Sequence, residues 1–297
     1  MSRIAPRRLR RRSTAGAVAL AAALACAACS HEGAGVNAVT ASSAPVADSI
    51  TVGLWHLDEA GGVACADAGP FHLQGTAGLD THTDFGRFGN ARTFTGSIES
   101  WVFVPYAPSM NTPRVAVEAW IDPAGYGTYE DTPIAGRWTE YPNEQSWLFS
   151  LVGLQRDSRL TNVQAPGFHE SLVDQAPPRR LMFAFQPVEP GPAGVYFSAT
   201  EIPLQRWTHV AVTHDGSVVK FWINGQLDAQ YATRTTIREG LAPLLVGNYF
   251  DTRKLSDFGG DLRVGPRVTH PPVYAFLGAI DELRVSSQAR DSFGLAR

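Results

Sequence analysis

Residues 206–228, RWTHVAVTHDGSVVKFWINGQLD, constrain the fold more than any other stretch of the chain. Thr208, Val210 and Val212 alternate with Trp207, His209, Ala211 and Thr213. A period of two marks a strand with two distinct faces. Asp215-Gly216 follows, a dipeptide that accepts positive φ and closes a short hairpin. The chain then returns with Val219, Phe221 and Ile223 on one side and Val218, Lys220 and Trp222 on the other. Asn224-Gly225 supplies a second turn of the same chemistry. Two such turns close together specify an antiparallel sheet.

Other features of the chain agree with an all-β fold. Its 297 residues suffice for one large β domain, since sandwiches run to about 200–250 residues as a unit. Helical periodicity is scarce, and 28 Gly and 20 Pro suit many short strands and turns. The net charge of −3 gives no support for nucleic-acid binding.

The only concentrated basic run is Arg7, Arg8, Arg10, Arg11 and Arg12, followed by small apolar residues up to Ala28. That order describes an export signal. At about 1.5 Å per residue the apolar part is too short for a ~30 Å bilayer core. Cys26 and Cys29 both follow small residues, as in a bacterial lipobox, although neither has Leu three residues earlier. A lipidated Cys26 or Cys29 would be the only membrane contact, with plain secretion as the alternative. Residues 1–29 thus read as the signal, residues 30–48 as a small, polar, flexible tether, and residues 49–297 as one domain without internal repeat. The location is extracytoplasmic: cell-surface or periplasmic if lipidated, secreted if not. Cys65, alone in the mature chain, has no internal disulfide partner and is expected as a small buried side chain.

Several motifs in order resemble one family, covering roughly residues 49–292. The central stretch is similar to the Trp-His-Val-Ala-Val-Thr strand and Asp-Gly turns of laminin-G-like, concanavalin A-like lectin/glucanase domains, with His214 in place of the usual turn aromatic. GLWHLDE (residues 53–59) resembles the family's first strand. FGRFGNARTFTG (85–96) resembles a glycine-rich turn, with Phe88 and Phe94 as core side chains. VAVEAWIDP (115–123) and FLGAIDELRV (276–285) resemble two further strands. The ADAGPFHLQG turn (66–75) matches only in Asp67, Gly69 and Gly75. The resemblance implies an antiparallel two-sheet β-sandwich, a concanavalin A-like jelly roll. Residues 153–179 and 249–274 stand out as two long insertions.

By strand parity Asp281 goes with Leu283 and Val285 toward the core, and Glu59 goes with Trp55 and Leu57. A buried carboxylate is costly unless paired or metal-bound. Two such groups at adjoining strand ends suit Ca²⁺, a hard cation that takes oxygen ligands. The resemblance implies a structural Ca²⁺ here, with Asp281 the most transferable ligand and Asp58 and Asp67 further candidates. Hydrogen bonds, or an arginine such as Arg284, would satisfy the same carboxylates without metal.

Trp120 and Trp222 lie opposite the aliphatic stripes of their strands, where a concave sheet would present them to a sugar chain. His209 and Lys220 share that face, although a tryptophan there also serves as core. Catalysis lacks support. The Glu-x-Asp-x-Glu strand of glycoside hydrolases on this fold is absent, and Glu118 and Asp122 come no closer than a spacing of four without a middle acid. No HExxH, nucleophile elbow or phosphate loop occurs. The expectation is a non-catalytic module for a glycan or cell-surface ligand. A protein-binding or structural module and a divergent glycan-cleaving enzyme are the alternatives. Replacing both Cys26 and Cys29 by Ser should release the protein from the membrane fraction. Unchanged fractionation would reject lipidation.

Overall fold

The computed structural model describes residues 43–127, 131–139, 144–154, 178–249, 255–258, 261–264 and 275–295. Cys26, Cys29 and most of both long insertions lie outside these residues. The strands are β1 (Thr51–Trp55), β2 (Ala64–Cys65), β3 (Gly75–Ala77), β4 (Thr81–Phe85), β5 (Asn90–Thr95), β6 (Val102–Val104), β7 (Val115–Pro123), β8 (Thr132–Trp138) and β9 (Gln145–Leu151). They continue as β10 (Arg180–Phe185), β11 (Gly194–Glu201), β12 (Thr208–His214), β13 (Val218–Ile223), β14 (Gln226–Ala232), β15 (Leu244–Val246), β16 (Leu255–Phe258), β17 (Asp261–Val264) and β18 (Leu277–Ser286).

Two antiparallel sheets form the sandwich. One runs β14-β13-β12-β7-β18-β5-β4, with β1 also on β18. The other runs β11-β10-β9-β8-β15-β6-β3-β2, while β16 and β17 pair only with each other. This is the two-layer β architecture expected from the sequence. Val117, Ala119, Ile121, Val210, Val212 and Phe221 of the first sheet meet Phe149, Leu181, Phe183, Val104 and Val246 of the second in one core. The alternation read from residues 206–228 fixes which side chains these are. Its turns form as their chemistry requires: Gly216, Asn224 and Gly225 have φ of 94°, 50° and 72°, and Asp215 Oδ1 accepts from the Ser217 and Val218 amides.

The last strand departs from simple alternation. β18 pairs with β7 along its length, but the register shifts between Asp281 and Arg284, and Glu282 takes φ 55°. The bulge flips parity. Ile280, Leu283 and Val285 are in the core, whereas Asp281 sits opposite Trp120 and shares its outer face. The inward orientation expected for Asp281 is therefore corrected. On its other edge β18 pairs with β5 through Leu277–Ile280 and with β1 through Leu283–Ser286. Strand β1 also ends sooner than the sequence suggests. Leu57 has φ 62°, so Glu59 lies beyond the ladder.

The outer side of the second sheet is apolar and buried as well. Leu148, Met182 and Ala184 alternate with core residues and join Trp138, Val152 and Tyr249 in a second cluster. Phe94 is core as expected, but Phe88 is half-buried against Trp120. Cys65 is fully buried, and burial pushes its thiol up to about 11, which suits an inert packing role.

His214, at the position of the family's turn aromatic, packs as one. It is fully buried with its ring 4.5 Å from Phe185, and burial pulls its pKa down to about 4. The folded state thus favours the neutral imidazole. This contribution is fully present above about pH 6.5 and is lost as pH falls toward 4. A His214→Phe protein should show a smaller drop in melting temperature between pH 7 and about pH 4 than the wild type. Equal drops would mean that His214 is not the group titrating.

Candidate functional site

The outer face of the first sheet gathers most of the polar and aromatic side chains singled out in the sequence. The ladder sets Trp120 beside His209, Glu118 beside Ala211, Ala211 beside Trp222, and Thr213 beside Lys220. Across β18, Asp281 lies beside Trp120 and Arg284 beside Glu118. Paired residues share a face, so Glu118, Trp120, His209, Lys220, Trp222 and Arg284 all project away from the core.

Glu118 is the hub of this face. Its Oε1 accepts from Arg284 at 2.6 Å, and its Oε2 lies 3.1 Å from His209 Nε2. Arg290 Nε stands 4.0 Å from the same carboxylate. Glu118, His209 and Arg284 are all buried. A carboxylate shielded from water in this way needs the Arg284 guanidinium beside it, because unpaired burial would cost several kcal/mol. The His209 ring lies 5.5 Å from that of Trp120. The Arg87 guanidinium sits 4.7 Å from the centre of the Trp120 ring, a cation–π contact.

Two short segments cover this face, which corrects the expectation of an open platform. Phe293 places its ring 5.2 Å from His209 and 5.6 Å from Trp222, and Leu295 packs with them. On the other side Arg284 Nη1 donates to the Val46 carbonyl. Arg290 grips Asp48 with two bonds of 2.7 and 2.6 Å. These bonds hold the Asp48 carboxyl well below the usual carboxylate range. Residues 43–48, assigned by composition to the tether, are thus tied to the domain. Trp120 and Trp222 are on the expected side of the sheet but are buried there, at 3% and 8% exposure. Lys220 is partly exposed and pairs with Asp291 at 2.9 Å.

Between sheet and cover lies a small cavity, about 250 Å³ including its open side. It is lined by Ser43, Pro45, Glu118, Trp120, His209, Glu282, Phe293 and Leu295. Two carboxylates line it, Glu118 and Glu282, and glycoside cleavage also calls for two. That reaction needs one carboxyl free to give a proton and another free to attack or activate water. Both Glu118 oxygens are engaged, by Arg284 and by His209, and Glu282 Oε2 lies 2.6 Å from His56 Nδ1. Glu282 raises the His56 pKa through that bond, while burial raises the pKa of Glu282 itself. Asp122, the other acid of the EAWID segment, does not line the cavity. Among the described residues His209 Nδ1 and Glu282 Oε1 are buried without a hydrogen-bond partner, which leaves two polar atoms available to a ligand.

Each of the four carboxylates considered for calcium is held by hydrogen bonds to a nearby backbone segment. Asp67 accepts from the amides of Leu54, Gly69 and Leu73. Glu59 accepts from Ala66 N and lies 3.8 Å from Arg92. Asp58 accepts from Asn90 N. Asp281 Oδ2 accepts from Arg87 N and Phe88 N, and burial raises its carboxyl to about 7. Among the described residues no three His, Cys, Asp or Glu are grouped to hold a metal ion. In the structure these carboxylates fasten turns. Arg284 neutralises Glu118, not Asp281 or Glu59.

Sequence reasoning missed Glu282, His56, Arg290 and Phe293. Only the bulge brings Glu282 to this place, and no local pattern announces it. Arg284 and Glu118 carried a usable signal, as opposite charges in two apolar strands.

A laminin-G-type family model, described as the concanavalin A-like lectin/glucanases superfamily, matches residues 95–264. No curated protein matches the chain. Among solved structures, the binding domain of Paraclostridial Mosquitocidal Protein 1 is similar with TM-score 0.53 and 12% identity, over 81% of this chain and 49% of that one. Domain 4 of an extracellular arabinanase from Geobacillus stearothermophilus, in complex with arabinotriose, has TM-score 0.51 and 20% identity, over 81% and 93% of the two chains. The ligand-binding domain of botulinum neurotoxin serotype D, in complex with N-acetylneuraminic acid, has TM-score 0.51 and 10% identity, over 82% and 49%. The chain spans about half the length of the two toxin domains. At these identities the likeness concerns the fold.

Glu118→Ala should destabilise the protein by about 3–5 kcal/mol by leaving Arg284 buried and unpaired. Glu118→Gln, which keeps an acceptor, should cost less. Urea denaturation midpoints check both, and an unaltered midpoint for Glu118→Ala would deny Glu118 its role as hub.

Proposed function

The chain belongs to the concanavalin A-like lectin/glucanase superfamily, and from that premise we propose that it is a non-catalytic module binding a glycan outside the cytoplasm. The fold alone does not assign a ligand. One observation carries the proposal: Trp120, His209 and Trp222 share one sheet face with Lys220, beside a cavity where His209 Nδ1 and Glu282 Oε1 lack partners. Indole faces stack on the C–H faces of sugar rings, and buried polar atoms suit sugar hydroxyls. Phe293 and Leu295 occupy this face, so a glycan reaches it only when they move.

Two solved neighbours support the reading through their own ligands, since those proteins were seen with arabinotriose and with N-acetylneuraminic acid. The pairing of Glu118 with Arg284 favours binding over cleavage. The basic and apolar residues before Cys29 favour an exported protein, held to a membrane by lipid on Cys26 or Cys29 or else secreted.

A glycan array probed with the mature protein tests the proposal. Binding to one or a few polysaccharide classes, without new reducing ends after prolonged incubation, is the expected result. No binding to any glycan would overturn the ligand class, and reducing-end release would overturn the non-catalytic assignment. Equal signals with and without chelator are expected from the scattered carboxylates.

A further inference from the structure

We propose that residues 290–295 are an internal stand-in for an acidic sugar, so that the site takes glycans bearing carboxylates and is closed until one displaces the segment. This rests on the glycan-binding reading of the face. It adds the ligand's charge and the way the site is kept shut.

The segment offers the sheet the two groups that a uronic acid would offer. A flat ring, Phe293, lies against Trp222 and His209 at 5.6 and 5.2 Å. A carboxylate, Asp291, meets Lys220 Nζ at 2.9 Å. Lys220 itself stands 5.9 Å from the centre of the Trp222 ring. Indole and ammonium are therefore adjacent on β13, two residues apart on one face of the strand. An indole beside a cation is what a sugar ring with a carboxyl substituent requires. A neutral sugar would use Lys220 only as a hydrogen-bond donor and leave its charge unpaired.

The attachment of the segment is weak where release demands it. The strand ladder ends at Ser286, and Ser287 N donates to Ile50 O. Beyond Ser287 the segment is held by side-chain bonds: Arg290 to Asp48, Ser286 and Thr51, and Asp291 to Lys220. The Asp291 side chain is 74% exposed, so its ion pair is screened by salt and contributes little. Phe293 is the main apolar anchor, with Leu295 beside it against Gly225. Gly294, at φ 68°, supplies a backbone joint between them. A ligand thus competes with one ring, one leucine and one exposed ion pair.

The test is titration calorimetry on the mature protein with oligogalacturonate and with its fully methyl-esterified form, which has the same rings without charge. An Asp291→Asn, Phe293→Ser protein should bind oligogalacturonate at least about tenfold more tightly than the wild type, a gain of about 1.4 kcal/mol. The ester should gain far less, and adding Lys220→Gln should abolish the gain. Asp291→Asn alone changes only an exposed side chain and should give a smaller gain in the same direction, which covers failure of the double variant to fold. Acrylamide quenching of tryptophan emission should rise in the double variant as Trp222 is uncovered. Equal affinities in wild type and variants, or equal gains for acid and ester, would overturn the inference. If the wild type and both variants bind some other glycan equally on the array, this inference falls and the glycan-binding reading stands. If none binds any glycan, both fall.

Discussion

The structure depends on hydrogen bonding both edges of β18. One edge is filled by β7 from end to end, while the other is shared by β5 and β1. Where those two neighbours change over, the ladder has to be interrupted, and the Glu282 bulge lies at that place. Backbone amides freed near such a break need acceptors. Asp281 takes the amides of Arg87 and Phe88, and Asp58 takes that of Asn90. The motif IDELR is thus a device for joining three strands. Asp281 is buried because the turn beside it supplies donors.

Most of the sandwich was legible because period-two patterns and Asx-Gly turns are local. Val115–Pro123 and Val218–Ile223 form with the bounds read from the residues. The failures are non-local. A bulge shifts parity without changing composition, so Asp281 was assigned to the wrong face. Trp120 and Trp222 were assigned to the outer face correctly, yet their burial comes from residues 43–48 and 291–295, whose sequences show no periodicity to predict docking. The carboxylates expected around one cation were each taken up by nearby amides or an arginine, an outcome set by turn geometry that spacing does not reveal.

A buried charge network on the outside of a sheet is unusual, because that face ordinarily meets water. Here the cover and the charges require each other. Glu118, His209 and Arg284 are shielded by Phe293 and by residues 43–46, and those residues are held by Arg284 and by the Arg290–Asp48 pair. Removing the cover returns water to Glu118, which lowers the cost of burial as it exposes Trp222. The open state is therefore compensated in part by hydration, a condition for any face that must alternate between shut and occupied.

The Arg290–Asp48 clamp has one more consequence. It brings the chain just before β1 and just after β18 within a side chain's reach of each other. A fold whose two ends leave side by side can be spliced into a surface loop of an unrelated host with little distortion of either partner.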